Sequence, residues 1–79
     1  EQYRGPGPLT DAICFRVERG ASLSAVSRAL EEQGAVSDAR IFRIGADYSD
    51  GASGLKFGSY LVPPGASMRD ILAVLTAGG

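Results

Sequence analysis

Residues 60–79 read Y-L-V-P-P-G-A-S-M-R-D-I-L-A-V-L-T-A-G-G, and they repeat, 45 residues on, the stretch F-R-V-E-R-G-A-S-L-S-A-V-S-R-A-L-E-E-Q-G of residues 15–34. Val17 matches Val62, Gly20 to Ser22 match Gly65 to Ser67, and Leu23, Val26 and Leu30 match Met68, Ile71 and Leu75. The chain therefore holds two copies of one strand-turn-helix unit.

The residue types at the turn explain why it recurs. In Pro63-Pro64-Gly65-Ala66 a proline presets φ and the glycine after it supplies the positive φ of a type II turn. Glu18-Arg19-Gly20-Ala21 fits the same turn. Ser22 and Ser67 then stand where a hydroxyl can accept from a backbone N–H that the first helical turn leaves unpaired. Ser67 with Asp70 three residues on approximates a capping box. Gly34 and Gly78 supply the stop signals.

Working outward, Ile13, Phe15 and Val17 alternate with Cys14, Arg16 and Glu18 between Ala12 and Arg19, the period of a half-buried strand. The helix after it, from Leu23 to about Gln33, carries an apolar stripe of Leu23, Val26 and Leu30 with Ala29 beside it, while Arg28, Glu31 and Glu32 face water. A second helix is expected with Ser37 as N-cap and Asp38 in its first turn. Val36 and Ile41 would staple it, and Ile41, Ile44 and Tyr48 keep helical spacing through Gly45, which costs about 1 kcal/mol relative to alanine. Asp50 to Gly54 reads as a loop. Leu55 to Val62 is the second strand, with Gly58, Tyr60 and Val62 on the face equivalent to Ile13, Phe15 and Val17; Phe57 and Leu61 make its other face apolar, so cover is expected on both sides. Met68 to about Ala77 is the last helix, with Ile71, Leu72, Val74 and Leu75 as its apolar surface.

Composition narrows the function. A chain of 79 residues with net charge -1 has room for one modest core, and its arginines are spread along the sequence with no basic stripe for a nucleic-acid backbone. There is no run of apolar residues long enough to span a membrane. The chain contains no histidine, which removes Ser-His-Asp and Cys-His catalysis and most transition-metal sites. The one cysteine, Cys14, reads as a small residue half buried in a sheet. Glycan cleavage needs a positioned carboxylic acid, yet Glu31 and Glu32 lie on a wet helix face, Asp47 and Asp50 flank a loop, and Glu18 and Asp70 sit at turns and caps. No catalytic residue, metal site or cofactor is expected. Lys56, the sole lysine, reads as a strand-edge charge.

The run I-C-F-R-V-E-R-G-A-S-L-S-A-V-S-R-A-L, followed by a second helix and L-K-F-G-S-Y-L-V-P, resembles a LysM module. Gly20-Ala21-Ser22-Leu23 takes the turn position without that family's usual acid, and Leu55, Gly58, Leu61 and Pro63 take the closing run. The whole chain also resembles the N-terminal LysM-like part of the YceG-like endolytic murein transglycosylases. The marks are Gly5 to Leu9, the turn Gly20 to Leu23, Gly34-Ala35-Val36-Ser37 with Ile41-Phe42, Leu55 to Met68, and Ile71, Leu72, Leu75 and Gly78. An older label for that family, aminodeoxychorismate lyase, would imply a pyridoxal phosphate enzyme, for which this chain offers no residues.

The resemblance implies an α+β fold of order strand-helix-helix-strand-helix, with a two-stranded antiparallel sheet packed by helices. Residues 1–11, with Pro6 and Pro8, would be an extended lead-in and 12–79 the LysM-like domain of a longer protein. It further implies a module on the periplasmic side of the bacterial inner membrane, anchored by an N-terminal transmembrane helix, non-catalytic itself and preceding a catalytic domain. Its expected partners are a peptidoglycan glycan strand, that catalytic domain and other cell-wall synthesis proteins. The expected glycan site is where Gly20, Ala21, Ser22 and Leu23 approach Asp50, Ser53, Leu55 and Lys56. The alternative class is a structural or interaction module that orients the catalytic domain without binding sugar.

Overall fold

The computed structural model describes every residue except Asp50 and Gly79, and of Ala52 the backbone alone. The order is β1 (Ile13–Val17), α1 (Leu23–Glu32), α2 (Ala39–Tyr48), a 3-10 turn (Gly51–Gly54), β2 (Gly58–Val62) and α3 (Met68–Ala77). This is the α+β arrangement expected, and the two strands pair antiparallel.

The repeat is exact at the level of elements. A shift of 45 residues carries Ile13–Val17 onto Gly58–Val62 and Leu23–Glu32 onto Met68–Ala77. The register then sets equivalent residues against each other: Phe15 pairs with Tyr60, while Ile13 pairs with Val62 and Val17 with Gly58. A pseudo-two-fold axis therefore passes through the Phe15–Tyr60 pair, and α2 is the insertion that breaks the symmetry.

Both turns and both caps form as their chemistry requires. Ala21 N donates to Glu18 O at 3.1 Å and Ala66 N to Pro63 O at 3.3 Å, with Gly20 at φ 78° and Gly65 at φ 72°. Ser22 Oγ accepts from Ala25 N at 3.1 Å and Ser67 Oγ from Asp70 N at 3.0 Å. Asp70 returns a bond from Ser67 N at 3.4 Å and closes the capping box.

The core lies under one face of the sheet. Phe15, Val17, Tyr60 and Val62 point into it and meet Val26 and Leu30 of α1, Phe42 and Ala46 of α2, and Met68, Ile71, Leu72 and Leu75 of α3. Filling a single face is what 79 residues can do. Leu61, 69% exposed, and Phe57, 56% exposed, are open to solvent, so the expected second cover of β2 does not form. Cys14 lies opposite Leu61 on that outer face and is exposed, where it was expected half buried.

The start and orientation of α2 differ from the sequence expectation. Asp38, not Ser37, is the N-cap: its carboxylate accepts from Arg40 N at 2.9 Å and Ile41 N at 3.3 Å. A carboxylate at the cap meets the positive helix end with a full charge, which a serine hydroxyl cannot. With the cap at Asp38, Val36 and Ile41 no longer hold the staple positions; Val36 is buried in the core and Ile41 packs at its margin. The buried face is Phe42 and Ala46, so Ile44 and Tyr48 point outward. Gly45 does not interrupt the helix, which runs on to Tyr48.

Residues 1–11 are held against this body without forming a helix or strand. Gly7 N donates to Gly65 O at 3.0 Å, Gly65 N to Leu9 O at 2.9 Å and Arg69 N to Tyr3 O at 3.1 Å. Tyr3 and Leu9 pack on the core margin. A side chain at Gly7 would overlap Ala66 O, which explains the glycine between two prolines. Among the described residues, no helix is long and apolar enough to cross a membrane.

Candidate functional site

The turn after β1 and the segment leading into β2 form the two walls of a cleft of about 640 Å³. Val17, Glu18, Gly20 and Ala21 line one wall, Leu55, Lys56 and Phe57 the other, and Ala77 and Gly78 close one end.

Local chemistry fixes each wall. The type II turn holds the first. The second is fastened at two points: Lys56 N donates to Leu75 O at 3.0 Å, and the hydroxyl of Tyr60 donates to Lys56 O at 2.7 Å, with Phe57 O at 3.2 Å. Tyr60 thus packs its ring in the core and uses its polar tip to hold the cleft wall, the usual division for a buried tyrosine. Gly58, at φ 147°, gives the backbone the conformation that turns the wall into the strand.

Phe57 and Arg19 meet at this end of the molecule. The guanidinium carbon of Arg19 lies 4.1 Å from the centroid of the Phe57 ring, within cation–π range. Among the described residues, Glu18 is the single carboxylate lining the cleft, and it accepts from Arg16 Nε at 3.0 Å in an exposed pair. Such a pair is worth at most about 1 kcal/mol.

Of the expected site residues, Gly20, Ala21, Leu55 and Lys56 converge here. Ser22 and Leu23 do not line the cleft, for Ser22 spends its hydroxyl on capping and Leu23 packs against the core. Ser53 sits in the 3-10 turn away from the cleft walls. Asp50 lies outside the described residues. Sequence reading missed Val17, Glu18, Phe57, Ala77 and Gly78. Phe57 carried a signal in the sequence: its ring precedes a glycine at the mouth of a strand, yet it was assigned to a buried second face.

The sequence profile of the YceG-like family matches residues 15–79. The chain belongs to the YceG-like family. Among solved structures, it is similar to a YceG-like protein from Listeria monocytogenes, with a TM-score of 0.78 and 25% identity over 85% of this chain. The match covers 22% of that chain, so the present sequence spans about a fifth of the relative's length. No curated protein sequence matches.

Proposed function

We propose that this domain is a non-catalytic module that holds a peptidoglycan glycan strand for the catalytic domain of a longer endolytic murein transglycosylase, on the periplasmic side of the bacterial inner membrane. The observation that carries the reading is the cleft wall at Phe57. An exposed ring, within cation–π range of Arg19, stands beside the exposed turn residues Glu18, Arg19 and Gly20. Sugar rings stack their C–H faces on aromatics, and short glycine-rich backbone reaches N-acetyl and hydroxyl groups. The family assignment supports the same role.

The alternative, a structural module that orients the catalytic domain, draws on one specific feature. Leu61 and Cys14 leave the outer sheet face uncovered beside the cleft, and an apolar side chain there suits contact with another domain.

Amide shifts during titration of the labelled chain with peptidoglycan or chitin oligosaccharides separate the two. Binding shifts residues 18–21 and 55–57 together while Arg28, Glu31 and Glu32 stay still. Absence of any shift at millimolar sugar, about 4 kcal/mol of affinity, would leave the orienting role. Incubation with purified peptidoglycan should release no anhydro-ended fragments.

A further inference from the structure

The fold gathers arginines that the sequence spreads apart. Arg28 of α1 and Arg40 and Arg43 of α2 line one groove of about 340 Å³, together with Ser24, Ser27 and Ala39. Among the described residues, no carboxylate lines it. None of the three guanidinium groups takes part in an ion pair or hydrogen bond, the one salt bridge among the described residues being Arg16 with Glu18.

Two of the nearby acids are committed elsewhere, and Glu32, one turn beyond Arg28, is exposed and makes no ion pair with it. Asp38 accepts from Arg40 N and Ile41 N, and Glu31 accepts from Ala39 N at 3.2 Å across from α1. The amides at the start of α2 are therefore satisfied, and any anion in the groove would be held by side chains. Asp47 stands one turn beyond Arg43 without pairing to it within 4.0 Å. Ser27 Oγ donates to Leu23 O at 2.8 Å and is buried, whereas Ser24 is exposed with its hydroxyl open.

Arg40 and Arg43 are neighbours on one helix face, and like charges at that spacing repel. A third positive charge across the groove adds to the repulsion. One multivalent anion removes it. Guanidinium groups present planar forks of donors that match the oxygens of a phosphate in pairs, and three of them around one groove suit a group of charge near -2 better than a single carboxylate.

We propose that the groove between α1 and α2 binds the phosphate group of an anionic phosphoester. The site is separate from the cleft at Phe57, with which it shares no lining residue.

The test titrates the labelled chain with sodium phosphate and then diphosphate, against sodium chloride at equal ionic strength. Side-chain N–H signals of Arg28, Arg40 and Arg43 should shift and saturate at millimolar phosphate but not with chloride. Arg40→Gln and Arg43→Gln should each weaken binding about tenfold, the loss expected for a charged hydrogen-bond partner. Arg69→Gln, outside the groove, should bind like the parent. Arg40 and Arg69 are exposed and Arg43 is half-buried, and thermal melts within a few degrees of the parent verify that the variants are folded. Sedimentation with phosphatidylglycerol vesicles, and not with phosphatidylcholine vesicles, would identify the source as a lipid headgroup; phosphate binding without sedimentation would identify a soluble phosphoester. Phosphate shifts no larger than those of chloride, or full affinity in the Arg40→Gln/Arg43→Gln double variant, would overturn the proposal.

Discussion

The ring of Tyr3 occupies the space that a side chain at Gly45 would need. A methyl group there would lie 2.9 Å from Cζ and closer still to Cδ1 and Cε1. The helix-weakening glycine of α2 is thus a docking notch for the N-terminal segment, which Arg69 N secures by donating to Tyr3 O.

Alanine at position 45 tests that notch through a change of sign. In an exposed helix Gly→Ala would stabilise by about 1 kcal/mol. Here Gly45→Ala should destabilise by about 1–3 kcal/mol, the range for forced overpacking. In a Tyr3→Ala background the same substitution should recover its stabilising sign. Urea denaturation of the four proteins measures the cycle, and stabilisation by Gly45→Ala alone would show that the ring yields freely.

The duplicated caps should behave as duplicates. Ser22→Ala and Ser67→Ala each remove a hydroxyl that accepts from an amide of the first turn, so each should cost about 1 kcal/mol, and the pair should add. Asp70→Ala should cost less than Ser67→Ala, because its reciprocal bond is the longer at 3.4 Å. Chemical denaturation of the variants reports all four values.

Two exposed apolar residues of the same strand region should part company in binding. Phe57→Ala should abolish detectable oligosaccharide shifts at millimolar sugar with little effect on melting temperature, because Phe57 lines the cleft and lies outside the core. Leu61→Ser, outside the cleft, should leave both unchanged. Equal loss in the two variants would move the sugar to the outer sheet face.

Cys14 is exposed in the folded domain, so a maleimide should modify it fully without denaturant. Cys14→Ser should alter stability by no more than about 0.5 kcal/mol. A labelling rate a hundredfold slower in the native protein than in urea would place the thiol inside.

What the sequence disclosed was chemistry between near neighbours. The turns at Gly20 and Gly65, the caps at Ser22 and Ser67 and the alternation of Phe15 and Val17 each depend on residues within a few positions, and each forms as read. Harder to read was α2, where apolar residues occur on two faces. Choosing Phe42 and Ala46 over Ile44 and Tyr48 requires knowing where the sheet and α3 meet α2, which brings together residues far apart in the chain. The cap shifted for a similar reason, since Ser37 and Asp38 are both competent and Glu31 supports the helix start through Ala39 N. Of the residues lining the candidate cleft, Gly20 and Ala21 were legible as a turn and Leu55 and Lys56 as the entry to the second strand. The contact between Arg19 and Phe57 was not, because it depends on the antiparallel register.

The pairing of Phe15 with Tyr60 makes the contact between the two halves isologous: each unit offers the other the same edge, as subunits do across a cyclic dimer interface. In architecture the domain is a dimer fused into one chain, with α2 and its flanks as the tether. A break in that tether would turn an intramolecular meeting into an association between two peptides, 1–36 and 55–79, without removing either strand. It would also free the edge of each peptide to meet a second copy of itself in the same register, so the tether sets which partner each strand finds.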